Sequence, residues 1–185
     1  MKRIKFDVTK KYELAYIQDL LVDKDWFDRE NFPIFWPKQT ASLPLAIARV
    51  KPVLEQSVVQ LNNRWRAIES QYFNQIAKFK HRKLPAQLIC HVSYFGPEGR
   101  YKCPDTINIR LRTADDKRRA IETIGHELIH LFFYDYFEEK KCSYREREWL
   151  VDHIILGSSL TTLFSNYKAQ TIGRAKPVLL KSILK

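Results

Sequence analysis

Two histidines and a glutamate near the middle of the chain have the types and the spacing of a metal-dependent hydrolytic site. Residues 124–132 read IGHELIHLF and contain His-Glu-x-x-His with apolar residues at both x positions. On a helix, His126 and His130 project from the same face, so their imidazoles can bind one metal ion. Glu127 lies about 100° around the helix from His126, where it can accept a proton from water that the ion activates. The motif predicts a metal-assisted hydrolase, against the alternative of a chance match in an amphipathic helix.

A catalytic zinc ion needs a third protein ligand, and helix geometry separates the residues after the motif that could supply it. The candidates are Asp135, Glu138, Glu139, Glu146, Glu148, Asp152 and His153. Two helices joined by a short connection usually lie antiparallel, so residues equally far from the turn face each other. Glu148 then meets His130 and is the predicted ligand. Asp152 meets His126, whose ring it can orient by accepting a hydrogen bond. His153 is an alternative ligand, although it breaks the paired spacing.

The pattern of apolar residues predicts that an α+β domain positions these side chains. From Pro52 onwards, apolar residues recur at alternating intervals of three and four, at Leu54, Val58, Leu61, Trp65, Ile68, Tyr72, Ile76 and Phe79. This stripe indicates a long scaffold helix with one packing face. Residues 86–95 and Thr106–Leu111 fit strands, and we expect them to pair in a small, mostly antiparallel sheet. His91 alternates with apolar neighbours in the first strand and should be exposed.

Two later helices are predicted to carry the site. One begins with a small polar cap at Thr113, has acidic residues in its first turn, and runs through the motif to about Phe137. The other begins near Ser143 and reaches about Leu163. Well before them, the aromatic and proline-containing residues 32–37 cannot form a regular helix. They either clasp the core or overhang a substrate cleft.

One principal domain with two appendages is expected. A chain of 185 residues is long enough to bury a hydrophobic core. Residues 1–41 are predicted to form an N-terminal segment packed on that core, residues 42–167 the catalytic domain, and residues 168–185 a basic C-terminal tail.

The composition is that of a globular protein, with 45% hydrophobic and 29% charged residues. No apolar run approaches the roughly 20 residues that span a bilayer, and the first residues lack the apolar core of a signal peptide. The three cysteines include no CxxC pair, which argues against a disulfide framework and against a cysteine zinc site. We therefore expect no membrane span and a reduced, cytoplasmic setting.

The net charge of +11 permits binding to nucleic acid, anionic lipid or acidic proteins, but it identifies no partner. Much of the excess lies in residues 78–83 and in the tail. An alternative function is therefore a basic nucleic-acid- or protein-binding protein that retains a structural or inactive zinc site. A further alternative is a latent enzyme whose segment Thr171–Lys185 occupies the cleft.

Residues 123–132 resemble the active-site motif of the zincin metallopeptidases at every position. Within that clan the chain is most similar to the gluzincins, and in size to their minimal members. Gluzincins add a glutamate and, four residues later, an aspartate, and Glu148 and Asp152 occupy those places. The resemblance covers roughly residues 106–156. It implies a compact zincin-like domain with one Zn²⁺, ligands at His126, His130 and Glu148, a general base at Glu127, and Asp152 as a support for the ligands.

The resemblance also implies a zinc metalloendopeptidase whose peptide or protein substrate lies extended along the strand before the motif helix. Main-chain pairing there would involve Ile107, Asn108 and Ile109. The sequence departs from the gluzincin pattern at Arg147, where many members have asparagine. It also has no clear counterpart of the histidine or tyrosine that stabilises the oxyanion in larger members. Tyr144 and His153 are the candidates for that role.

Overall fold

A mixed four-stranded sheet packed against helices forms the framework of the protein. The computed structural model describes residues 4–37, 43–165, 167–169 and 177–184. The elements are β1 (Ile4–Asp7), α1 (Lys10–Val22), α2 (Lys24–Arg29), α3 (Leu43–Ile76), β2 (Leu88–Ser93), β3 (Gly99–Lys102), β4 (Thr106–Arg110), α4 (Ala114–Phe132), α5 (Tyr134–Glu139), α6 (Tyr144–Leu156), a 3₁₀ turn (Ser159–Thr162) and α7 (Pro177–Leu184). The predicted α+β class is confirmed.

The sheet is mostly parallel, so the predicted mostly antiparallel sheet is wrong. Its strand order is β1-β2-β4-β3. Strand β2 is parallel to β1 and to β4, with Ile89 opposite Thr106. Only β3 and β4 are antiparallel. The chain leaves β2, crosses to the outer edge as β3, and returns through a hairpin into the place beside β2. The two predicted strands do not include β3, which lies between them in the chain.

This topology also moves the edge of the sheet. Strand β4 is paired on both sides, so the prediction that residues 106–111 form an edge strand is wrong. Strands inside a sheet that is covered on both faces bury even their polar residues. Accordingly, Ile107, Asn108 and Ile109 are all buried. The edge strand next to the motif helix is β3.

The prediction that His91 is exposed is wrong, because α1 covers the second face of the sheet. The side chain is only 9% exposed. The ring of Tyr12 stacks on the imidazole, with 3.2 Å between ring centroids. Asp7 Oδ2 lies 2.8 Å from His91 Nδ1. The alternation of polar and apolar residues in β2 therefore reflects a sheet that is covered on both faces, with α1 on the polar face, and not a face exposed to solvent.

The long scaffold helix is confirmed, but it begins well before the predicted start at Pro52. Leu43 and Ile47, in its first turns, are buried in a small cluster with residues of α1 and the loop after β2. Their packing compensates for the hydrogen bond that a proline removes inside a helix. The predicted apolar stripe contributes to the main core, in which Trp65 and Tyr72 are fully buried.

The two site helices are shorter than predicted. Helix α4 ends at Phe132, because Phe133 leaves the helical conformation, and α5 follows as a separate element. Helix α6 ends at Leu156, where Gly157 follows, and a 3₁₀ turn takes the place of its predicted last turns. Both helices begin with a capping box, at Thr113 and at Ser143. The predicted starts are therefore confirmed.

Helix α7 lies against α5 and α6, away from the cleft described below. The Tyr136 hydroxyl donates to the Leu179 carbonyl at 3.0 Å, and Ile183 is fully buried. The alternative in which Thr171–Lys185 fills the cleft is therefore wrong for residues 177–184, which do not line it. The remainder of that segment lies outside the described residues. Among the helices described, none has the length and apolar character needed to cross a bilayer.

A buried ion pair anchors the start of α4. Arg110, at the end of β4, donates from Nη2 to Asp116 Oδ1 at 2.8 Å and from Nε to Oδ2 at 3.0 Å. The same carboxylate accepts from the backbone amides of Arg112 and Thr113. Burial raises the pKa of Asp116, but these hydrogen bonds outweigh it and hold the pKa below its ordinary value.

We expect Asp116→Asn to destabilise the protein by about 3 kcal/mol, because it leaves the buried Arg110 guanidinium without a charged partner. Since the folded pKa is depressed, the stabilisation is complete above the unfolded pKa of about 3.9 and is lost as the pH falls toward the lower folded value. The free energy of unfolding, measured with urea, should therefore fall more steeply with decreasing pH in the wild type than in the variant. Asp115→Asn, which affects an exposed pair, serves as the control, and an equal effect there would contradict this account.

Candidate metal centre and cleft

Three buried side chains from two helices converge at one point. His126 and His130 come from α4 and Glu148 comes from α6. Glu148 Oε2 lies 3.0 Å from His126 Nε2, and Glu148 Oε1 lies 3.2 Å from His130 Nε2. The two Nε2 atoms are 3.0 Å apart. All three side chains are at least nine-tenths buried, so their polar atoms contact one another and have little contact with water.

The geometry and the donor types fit one metal ion. Ligand atoms about 2.0–2.2 Å from a tetrahedral ion lie roughly 3.3 Å from one another, close to the separations observed. Two imidazole nitrogens and one carboxylate oxygen form a ligand set that zinc uses in catalytic sites. Burial raises the pKa of Glu148, but the two imidazoles more than offset it and hold the pKa well below its ordinary value. The carboxylate is thus kept in its ligand form.

A tyrosine that the sequence did not indicate supports His126. The Tyr167 hydroxyl lies 2.7 Å from His126 Nδ1 and donates to Asp152 Oδ1 at 2.6 Å. In this chain of hydrogen bonds the imidazole N–H donates to the tyrosine oxygen, so the lone pair that a metal ion would use is on Nε2, the nitrogen that faces Glu148. Asp152 is therefore connected to His126 through the bridging Tyr167 hydroxyl. Burial, and then the Asp152 charge, raise the pKa of Tyr167, so its proton stays on the oxygen.

Tyr167 was missed because no periodic pattern surrounds it. It follows the 3₁₀ turn in an irregular segment, where neither helix nor strand spacing relates it to the motif. Its hydroxyl reaches α4 because the chain turns back after α6. A tyrosine shortly after the ligand helix is a weak signal, and only the fold makes it a partner of His126.

His130 is oriented by an aromatic ring from the edge strand. The ring of Tyr101, in β3, stacks on the imidazole with centroids 5.0 Å apart and planes 10° apart. His130 Nδ1 is buried and has no hydrogen-bond partner among the described residues. On the Nδ1 side, packing against Tyr101 therefore takes the place of a hydrogen bond in orienting this imidazole, while its Nε2 faces Glu148.

Glu127 lies beside the ligands and packs against β3. The side chain is buried, and burial raises its pKa to about 8, with the charges of Glu148 and Glu98 adding to the shift and His126 opposing it. At Gly99 a Cβ atom would lie 2.4 Å from Glu127 Oε1 and 2.8 Å from Glu127 Cγ. A glycine is therefore required at this point of the edge strand if Glu127 is to keep its position.

These residues form the floor of a cleft of about 810 Å³. One wall is the edge strand β3. The opposite wall comes from the N-terminal segment, whose aromatic residues Trp26, Phe27 and Phe32 line the cleft. The stretch 32–37 has both of the roles considered for it: Phe32 and Pro33 line the cleft, while Ile34 and Trp36 pack on the buried cluster around Phe27. This wall combines the aromatic rings with the carboxylates of Asp23 and Glu30.

The other predicted site residues separate into two groups. Tyr144 lines the cleft one turn before Glu148, and its ring contacts those of Trp26 and Phe32. His153 does not line it; its Nδ1 is 2.8 Å from the Trp149 carbonyl, and its ring stacks on the Trp149 ring. The three predicted strand residues, Ile107, Asn108 and Ile109, are paired inside the sheet and also do not line the cleft.

Comparisons of the chain with protein-family models, curated proteins and solved structures found no match. Fold and site together define an α+β protein with a buried His-His-Glu group, at the floor of a cleft, that could hold a metal ion.

We expect the protein to bind one zinc ion per chain and Glu148→Ala to abolish this binding, because two imidazoles alone leave the site incomplete.

Tyr167→Phe keeps all three ligands but removes the hydroxyl beside His126 Nδ1, so the affinity for zinc should fall by about 10–100-fold. Titration of metal-free protein against a chromophoric chelator measures both effects. Tyr12→Phe removes a tyrosine hydroxyl bonded elsewhere, to Asn108, and should leave the affinity unchanged. Wild-type affinity in Tyr167→Phe would show that Tyr167 does not orient the ligand.

Proposed function

We propose that the protein is a zinc-dependent metalloendopeptidase that hydrolyses peptide bonds. The observation that carries this proposal is the convergence of His126, His130 and Glu148 beside a buried, non-ligand carboxylate, Glu127, at the floor of an open cleft. A structural metal site has its coordination closed by protein ligands, whereas a catalytic one has three protein ligands and an open position. Three ligands and an adjoining cleft favour the catalytic kind.

Each residue of the site has a defined task in this proposal. Zinc held there would polarise the substrate carbonyl and lower the pKa of water to about 7. Glu127 accepts a proton from the attacking water, whose oxygen bonds to the carbonyl carbon. Glu127 then gives that proton to the amide nitrogen as the carbon–nitrogen bond breaks. Burial raises the pKa of Glu127, which makes its carboxylate a stronger proton acceptor, and the positive charge of a bound zinc ion would favour the ionised form that accepts the proton.

The substrate would bind along β3, not along β4. Gly99, Arg100 and Tyr101 line the cleft, and β3 has a strand on only one side in the described sheet. An extended peptide can add to such an edge through main-chain hydrogen bonds. The missing side chain at Gly99 would let this peptide approach Glu127 closely.

Tyr144 is the better candidate for stabilising the oxyanion. It lines the cleft one turn before Glu148, whereas His153 lies outside. Burial raises the pKa of Tyr144, with the charges of Glu148 and Glu127 adding to the shift, so the hydroxyl remains a hydrogen-bond donor. A donor in the cleft near the metal ligands suits the negative charge that develops on the carbonyl oxygen.

The alternative, a basic binding protein with a structural or inactive zinc site, rests on the net charge of +11. The cleft itself does not suit a polyanion, because carboxylates including Glu30, Glu98, Glu122 and Glu127 line it. Salt-dependent binding of DNA or RNA without any peptide cleavage would favour the alternative.

Glu127→Gln should lower hydrolysis of an unstructured protein such as casein by about 10²–10⁴-fold, because the amide cannot accept the proton of water. Zinc content should be unchanged, since Glu127 is not a ligand. Cleavage is measured by the release of fluorescent fragments, and zinc content is measured by elemental analysis of the same samples. Activity retained at the wild-type level in this variant would rule out the mechanism.

Gly99→Ala should lower kcat by roughly 10²-fold while zinc binding persists, because the new methyl group displaces the Glu127 carboxylate. The new Cβ atom would also lie 2.8 Å from Thr123 Cγ2, so the free energy of unfolding should fall as well, and kinetics are compared at a temperature where both proteins remain folded. Lys102→Ala, at the far end of the same strand, is the control and should keep wild-type kinetics. An unaltered kcat in Gly99→Ala would mean that the position of Glu127 is not critical.

A further inference from the structure

One carboxylate in the cleft has no task in the proposed hydrolysis. Glu122 lies on α4, one helical turn before His126 and on the same face. It lines the cleft, yet its side chain is only 5% exposed. Its Oε2 is sealed from solvent and has no hydrogen-bond partner among the described residues.

Burying a carboxylate without a partner is unfavourable, and buried polar groups are almost always paired. An unpaired one that lines a binding cleft indicates that its partner comes from outside the protein. That partner must supply hydrogen-bond donors, and a positively charged group does so most strongly.

The two arginines of the cleft do not fill this role, because each guanidinium already forms an ion pair with another carboxylate, although Arg100 Nη1 and Arg119 Nε are themselves buried without a hydrogen-bond partner among the described residues. Arg119 Nη1 donates to Glu98 Oε2 at 3.1 Å. Arg100 Nη2 donates to Asp23 Oδ2 at 2.8 Å. Neither guanidinium forms an ion pair with Glu122 within the described residues.

No other charge of the lining forms an ion pair with Glu122 within the described residues, and the exposed Arg118, which interacts with Glu122 electrostatically from one turn earlier on α4, donates its hydrogen bond to Asp115. Lys168 is exposed and lies on the segment after the 3₁₀ turn, while Glu30 lies on the opposite wall and adds to the negative charge. Apart from the metal ligands and Glu127, the cleft thus contains two ion pairs, one exposed lysine and two further carboxylates. This negative lining contrasts with a chain whose net charge is +11.

We propose that Glu122 forms a subsite for a positively charged group of the substrate. The group is an ammonium or guanidinium, supplied by a lysine or arginine side chain or by a free α-amino group. This inference rests on the proposed peptidase function and specifies which peptides the cleft selects.

The position of Glu122 also sets the distance between the charged group and the reacting bond. Four residues along a helix correspond to about 6 Å, and one residue of an extended peptide spans about 3.3–3.6 Å. The positively charged residue therefore lies within about two residues of the scissile bond. It is on the side of the cleft nearer the start of α4.

Binding to a zinc-loaded but inactive protein tests the subsite without relying on turnover. Glu127→Gln is titrated with a decapeptide of alanine and serine that carries one central arginine and a C-terminal fluorophore. Matched peptides have citrulline at that position, and each is made with a free and an acetylated N-terminus. Fluorescence anisotropy should give at least about tenfold tighter binding for the peptide with the positive charge.

The preference should disappear when Glu122→Gln is added to Glu127→Gln. A preference that survives acetylation assigns the subsite to the arginine side chain, and one that requires the free N-terminus assigns it to the α-amino group. Glu55→Gln, an exposed carboxylate on α3 outside the cleft, is the matched control and should retain the preference. Equal preference with and without Glu122, in variants of equal zinc content and thermal stability, would overturn the inference.

The two proposals fail in different ways. If the wild-type protein hydrolyses no peptide, the peptidase proposal fails, while the anisotropy titration still measures the contribution of Glu122. If hydrolysis occurs and Glu122→Gln keeps the wild-type ratio of kcat/KM between the arginine and citrulline peptides, only the subsite is refuted.

Discussion

The carboxylate of Glu148 is buried against two imidazoles, and the rest of the structure depends on this contact. A carboxylate can be buried only where opposite charge or hydrogen bonds compensate for the lost water. Here His126 and His130 provide that compensation, and a metal ion among the three would complete it. Since the imidazoles belong to α4 and the carboxylate to α6, the contact fixes how closely these helices approach and in which register.

The surrounding elements hold α4 in place from behind. The Tyr72 hydroxyl, on the scaffold helix α3, donates to the Gly125 carbonyl at 2.8 Å. On another side a Cβ atom at Gly125 would lie 2.3 Å from the Phe164 ring. The absence of a side chain there lets the segment after α6 pack directly on the motif helix, which brings Tyr167 within reach of His126. The glycine before the first histidine thus determines how the imidazole is supported.

Local patterns in the sequence predicted the scaffold helix, the two site helices and the metal-binding group, because these depend on spacing along one or two adjacent helices. The periodic stripe from Leu54 onwards and the pair His130 and Glu148 are of this kind. The sheet was not predictable in the same way. Strand β3 has only four residues and follows glycine and proline, so nothing local distinguished it from a turn. The position of Tyr167 and the burial of His91 depend on contacts with distant segments, and such contacts cannot be predicted from the periodicity of the local sequence.

The two sides of the cleft come from opposite ends of the described chain, and this has a consequence for when the site can exist. The aromatic wall lies at residues 26–33, and the last support of a ligand is Tyr167. Contacts between segments so far apart in sequence form late, because closing long loops costs entropy before the contacts repay it. During synthesis, the ligand pair of α4 therefore emerges without its third ligand, its supporting tyrosine or a finished cleft. Any activity of this site therefore belongs to the completed fold.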